Sequence, residues 1–122
     1  MITKKDIVQA ADMLRNGKSY TDIAAVIGAH MTLEELAQAI AAAFWSNRIV
    51  DDPDAFPDQP EDEQTRIEDV LGVAQRHYRH YKGNLEPNNQ HLPMQVSDCP
   101  NAIIDQELRK FMDYVKPIEP VN

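Results

Sequence analysis

The chain has 122 residues, of which 43% are apolar and 26% charged, an ordinary globular composition that excludes a wholly disordered polymer. Its formal net charge is −8, a field that repels polyanions and disfavours non-specific binding to nucleic acid or anionic membrane. The lone cysteine, Cys99, excludes an internal disulfide framework, and no apolar run approaches the ~20 residues a membrane span needs. Met1 to Asp6 lacks the apolar stretch of a secretory signal, so a cytoplasmic setting is expected.

Thr3-x-x-Asp6 resembles a capping box, and Ile7, Ala10, Ala11 and Leu14 follow at helical spacing until Asn16-Gly17 stops them. A first helix is predicted over about 4–16. Ser19-x-x-Asp22 repeats the start signal, Ile23, Ala24 and Ile27 form a stripe, and Gly28 ends a short second helix over about 20–27. Thr32-x-x-Glu35 opens a third, with Leu33, Leu36, Ala37, Ile40, Ala41 and Phe44 on one stripe. The alanine-rich run from Leu36 to Trp45 reads as a buried helix, with Trp45 packing at its end. Arg48 to Val50 is expected as a short extended piece.

Composition changes after Val50. Residues 51 to 63 hold Pro53, Pro57 and Pro60 among seven acids, which predicts a solvated connector over 51–61, with Ala55-Phe56 as a candidate anchor on a neighbour. A fourth helix starts near Glu61 to Glu63 and presents Ile67, Val70, Leu71, Ala74, Tyr78 and Tyr81, ending at Gly83-Asn84. Residues 85 to 100 read as an irregular loop, with a second short extended piece at 94–96. A fifth helix begins about Pro100, capped by Asp98 or Cys99. It carries Ile104, Leu108, Phe111, Met112 and Val115 and stops at Pro117, after which the tail is expected to fray. The expected fold is all-α, with about five helices in a single domain: a tri-helical unit over 1–50, the connector, and a two-helix unit over 62–116 containing the long loop.

Within residues 7–40, the run from Asn16 to Gly28 resembles the first half of a helix-turn-helix motif. Ala24 is the small residue at the helix crossing, Gly28 the turn glycine, and Ile27 the apolar residue entering the core. The resemblance implies a recognition helix from Thr32 to Ala43 and a DNA-binding regulator in which Lys18, His30 and Thr32 face a groove and Arg48 meets a phosphate. The second half departs from the pattern. That helix offers Glu34, Glu35 and Gln38, has no lysine or arginine before Arg48, and places Glu34 where a core residue belongs.

The other candidate surface is Arg76-His77-Tyr78-Arg79-His80-Tyr81-Lys82, the one dense basic-aromatic segment in an acidic chain. Arg76, His77, Arg79, His80 and Lys82 are candidate partner-binding residues, the tyrosines facing the core. The bland account is cations stabilised near a helix C-terminus and paired with the acidic connector. His77, His80, His91 and Cys99 include metal-ligand types, yet no CxxC or HExxH spacing occurs. Cys99 at a helix start would be a favoured thiolate with a histidine as base, though nothing in the spacing requires it. No phosphate loop, calcium loop or acid pair is present, so no cofactor, metal or catalytic residue is assigned. The expectation is a non-catalytic protein-interaction module, a regulator or inhibitor with a protein partner. A homo-oligomer is compatible, nucleic acid is disfavoured, and the compact size suits an accessory protein of a phage or mobile element.

Overall fold

Five α-helices and three short 3-10 turns make up the computed structural model, which describes residues 1–85 and 94–120, the backbone alone at 84 and 85. Helix α1 (Lys4–Arg15) begins on the predicted capping box. Thr3 Oγ1 accepts from the Asp6 N–H, and Asp6 Oδ2 accepts from the Thr3 N–H at 2.9 Å. The same reciprocal pair recurs at Ser19 and Asp22 before α2 (Tyr20–Ile27), and at Thr32 and Glu35 before α3 (Leu33–Asp51). Each pair satisfies two of the donors that a helix start leaves open, so three helices follow one another across short turns. Gly17, at φ +73, supplies the left-handed residue that turns the chain from α1 into α2.

Gly28 has a different reason to be glycine. Its φ is −82, an ordinary right-handed value that any residue adopts. A β-carbon there would lie 2.7 Å from Val96 Cγ1. Val96 is seated on the glycine by its own backbone: its N–H donates to Met31 O at 2.9 Å, and the Leu33 N–H donates to Met94 O at 2.7 Å. The extended piece expected at 94–96 is therefore a single bridge between Thr32 and Gln95, followed by a 3-10 turn over Val96–Asp98. The rest of the expected loop, residues 86–93, lies outside the described residues.

Helix α3 packs on α1, α4 and α5, and residues 39 to 43 are all 0% exposed. At about 3.6 residues per turn, five successive buried residues leave the helix no open side. Ala37, Ala39, Ala41, Ala42 and Ala43 are buried, and their small side chains let neighbouring backbones approach closely. Arg48 to Val50 is helical rather than extended, because Trp45, Ser46 and Ile49 keep one face of the last turns in the core. Burial outweighs the local β preference of Ile49-Val50. Trp45 is accordingly enclosed within the body of α3, not at its end. Buried Ser46 accepts from Arg66 Nε at 3.3 Å.

The segment after α3 is exposed along most of its length but is not an extended spacer. A 3-10 turn (Pro53–Ala55) and further backbone bonds to Phe56 and Gln59 fold it back. Phe56 is the anchor: it packs on the core, with the Arg48 guanidinium 5.7 Å from its ring centre. Helix α4 (Glu63–Leu85) runs through Gly83 and Asn84, where a stop was expected. Helix α5 (Asn101–Val115) buries the five predicted residues. Its N-cap position is Pro100, with no side-chain cap, where Asp98 or Cys99 was expected.

The tail is held rather than frayed. Ile118 O accepts from Trp45 Nε1 at 3.2 Å and from Arg48 Nη1 at 2.9 Å, and Gln59 Nε2 donates to Pro120 O at 3.3 Å. A buried indole N–H needs an acceptor, and the tail supplies it. Buried residues of all five helices form one cluster, so the first three helices and the last two share a single core.

Gly28→Ala forces Val96 to move and is expected to cost about 1–3 kcal/mol in urea denaturation. Adding Val96→Ala removes the obstructing methyls, so the double variant should lose less than the sum of the two single losses. Strictly additive losses would show that the 2.7 Å approach is not why glycine stands there.

Candidate functional site

Helix α4 changes character along its length. From Val70 to Leu85 it has no acid and carries Arg76, Arg79 and Lys82 with His77 and His80. Packing then sorts these residues. Tyr78 and Tyr81 turn toward α5, where their rings meet Phe111 at 5.0 and 5.2 Å. Arg76, Arg79 and His80 are exposed, and Lys82 is half-buried. Gly72 and Gly83 fall on the face of Arg76 and Arg79 by helical spacing, and a β-carbon at either would meet only open space.

His77 does not belong to this surface, contrary to the sequence expectation. It is half-buried, 5.5 Å from Trp45 and 6.5 Å from Tyr114 between ring centres. Burial, followed by the charges of His80 and Arg76, holds its imidazole below the ordinary 6.5. Positions 70, 74, 77 and 81 continue one helical stripe with Val70, Ala74 and Tyr81 all buried, a signal that would have placed His77 correctly.

The acids sit at the opposite end of α4. With about 1.5 Å of rise per residue, Arg76 to Lys82 lie roughly 20 to 28 Å along the axis from Glu63. Glu63 thus lies beyond the screening length of about 8 Å at physiological salt from the basic end of its own helix. Asp51 pairs with Arg15 at 2.7 Å and Glu63 with Lys4 at 3.4 Å. Asp62 accepts from both Thr65 N and Oγ1 at 2.9 Å, which holds its carboxyl below the ordinary 3.8. Asp52, Asp54, Asp58 and Glu61 are exposed and make no ion pair among the described residues.

The residues proposed to read DNA do not converge. Lys18 is exposed in the turn before α2, and His30 is exposed at the end of a 3-10 turn (Gly28–His30). The Thr32 hydroxyl is occupied as the cap of α3. Arg48 is held by Ile118 O, meets Glu119 at 3.7 Å, and lies over Phe44 and Phe56. Thr32 and Arg48 are about 24 Å apart along α3. The helix that would enter the groove is enclosed over residues 39 to 43.

Cys99 borders a groove of about 420 Å³ between α2, the Val96–Asp98 turn and the start of α5. Burial, then Asp98, raises its thiol above the ordinary 9.0, which opposes the thiolate that a helix start would favour. His77, beside Tyr114, is roughly 20 Å further along α5 and is no base for it. His91 lies outside the described residues. Among those described, no group of three His, Cys, Asp or Glu side chains could hold a metal ion, and no helix is long and apolar enough to cross a membrane. No protein-family model, curated protein or solved structure matches the chain.

His77 is less basic folded than unfolded, so the unfolded chain binds more protons below its ordinary pKa of about 6.5. The stability of the neutral ring is whole above that value and is lost as pH falls through the lowered folded one. Urea denaturation at about pH 7.5 and about pH 5.5 should show a loss that shrinks in His77→Phe. A His77 titration midpoint at or above 6.5 by NMR would contradict the assignment. Cys99 should react with Ellman's reagent near neutral pH several-fold more slowly than free cysteine, and equal rates would place the thiol outside the groove.

Proposed function

We propose that this chain is a non-catalytic protein-interaction module, a regulator or inhibitor that docks on a protein partner through the open face of α4. Arg76, Arg79 and His80 form the face, with Lys82 on its flank. The observation that supports this reading is the exposure of Arg76, Arg79 and His80 on a stretch of α4, Val70 to Leu85, that contains no acid. Guanidinium groups bind carboxylates through paired, directional hydrogen bonds, so an acidic protein surface is the matching partner. The glycines at 72 and 83 leave room for a partner's backbone beside the arginines.

Duplex DNA is the competing partner. A helix-turn-helix protein lays its third helix in a major groove, whereas α3 is closed on every side over residues 39–43 and carries no cation before Arg48. The net charge of −8 opposes the same approach.

A photocrosslinking residue at exposed Gln75, beside the face, should trap a protein partner in the cells that make the chain. The same residue at exposed Gln106 on α5 should not, and Arg76→Glu with Arg79→Glu should abolish the Gln75 adduct. An adduct unaffected by those reversals would remove α4 as the docking face. Salt-sensitive binding of duplex DNA that disappears in Lys18→Ala with Arg48→Ala would establish the DNA reading instead.

A further inference from the structure

We propose that the pocket between α1, α3 and α4 binds a small zwitterion, an α-amino acid with a short aliphatic side chain. The site shares no residue with the Arg76 to Lys82 stretch and does not rest on how that stretch is read.

The pocket has a volume of about 170 Å³. A cavity of roughly 150 Å³ takes up benzene, so the space suits a ligand of about six to eight non-hydrogen atoms. Its apolar lining comes from Ile7, Val8 and Ala11 on α1 and Ile67 on α4. Val50, a large apolar side chain that is 49% exposed, borders the same space.

Two helices bring opposite charges to this lining. On α4, half-buried Arg66 is fixed by buried Ser46, which accepts from its Nε at 3.3 Å. Its Nη hydrogens have no acceptor, and the guanidinium no ion pair, among the described residues. On α1, Asp12 lines the pocket, and its carboxylate also has no ion pair among the described residues. The two charges are therefore not paired with each other. Asn47, next to Ser46 on α3, donates to Ala11 O at 3.0 Å. That bond brings its amide to the α1 side of the pocket and leaves Oδ1 as an acceptor there.

The other charges around the pocket are engaged. Arg15 pairs with Asp51 at 2.7 Å, and Glu63 with Lys4 at 3.4 Å. Asp62 feels the charge of Arg66, but its carboxylate accepts from Thr65 N and Oγ1. What is left is one guanidinium from α4 and one carboxylate from α1 over an apolar lining. A guanidinium holds a carboxylate through paired hydrogen bonds, and an ammonium donates to a carboxylate and an amide oxygen. A simple anion would meet the repulsion of Asp12, and a simple cation that of Arg66. An amino acid answers both, and its aliphatic side chain covers Val8 and Val50. Because Asp12 is exposed and the pocket opens to solvent, binding is weak, at about millimolar concentration.

Titration of the full chain with L-valine to about 20 mM, followed by heteronuclear NMR, tests this. Saturable shifts are expected at Ala11, Asn47 and Arg66, and none at Arg79 or His80. Isovalerate keeps only the carboxylate and valinamide only the ammonium, and each should bind several-fold more weakly than L-valine. Asp12→Asn should weaken L-valine several-fold without weakening isovalerate. Arg66→Met should weaken L-valine without weakening valinamide. Asp12 is exposed, so its variant keeps the test open even if loss of the Arg66–Ser46 bond unfolds the other. Absence of saturable shifts, shifts away from these residues, equal affinity for L-valine and isovalerate, or L-valine binding unchanged in Asp12→Asn would each overturn the proposal.

Discussion

Helix α3 has no water-facing side between residues 39 and 43, and the other elements are arranged to enclose it. A helix buried all round is common at the centre of a larger fold, but in a chain of 122 residues it uses most of the available cover. The alanines let that cover approach closely. Trp45 fills the volume that alanine leaves, and its indole N–H then requires the Ile118 carbonyl. The docked tail, the Arg48 contacts to it and the Phe56 anchor beside it all follow from enclosing the end of one helix.

The same constraint separates structural from exposed charge. Arg48 is the only cation of α3, and the groups that complete the core engage it. Helix α4 gives one face to α3 and α5 and leaves another to solvent. It is 23 residues long, with its acids confined to residues 63–69 and Arg76, Arg79 and Lys82 in its later turns. An acidic protein thereby keeps a local basic surface. Its global charge of −8 repels polyanions at a distance.

The aromatic side chains link the two helices that bear on this surface. Trp45, His77, Tyr114, Tyr81, Phe111 and Tyr78 form a continuous chain of ring contacts from α3 through α4 to α5. His77 sits inside that chain, where burial holds its imidazole below the ordinary 6.5. Arg79 and His80, on the adjacent face, are exposed.

Local chemistry was legible from the residues alone. Three capping boxes act between positions three apart, the Gly17 turn depends on one residue, and the stripe of α5 repeats at helical spacing, so each was readable without a fold. The segregation of acids and bases was equally plain from residues 51–63 and 70–85. What the sequence did not disclose lies between residues far apart in the chain. Val96 makes Gly28 a packing glycine instead of a turn glycine, Ile118 captures Trp45 and Arg48 from more than 70 and 70 positions away, and Trp45 draws His77 inward. Hydrophobic periodicity tells which side of a helix is dry, but not that α3 is dry on every side, since that depends on how many neighbours arrive. Capping and helix spacing reach about four residues along a chain, whereas enclosure is decided by contacts that exist only once all five helices have met.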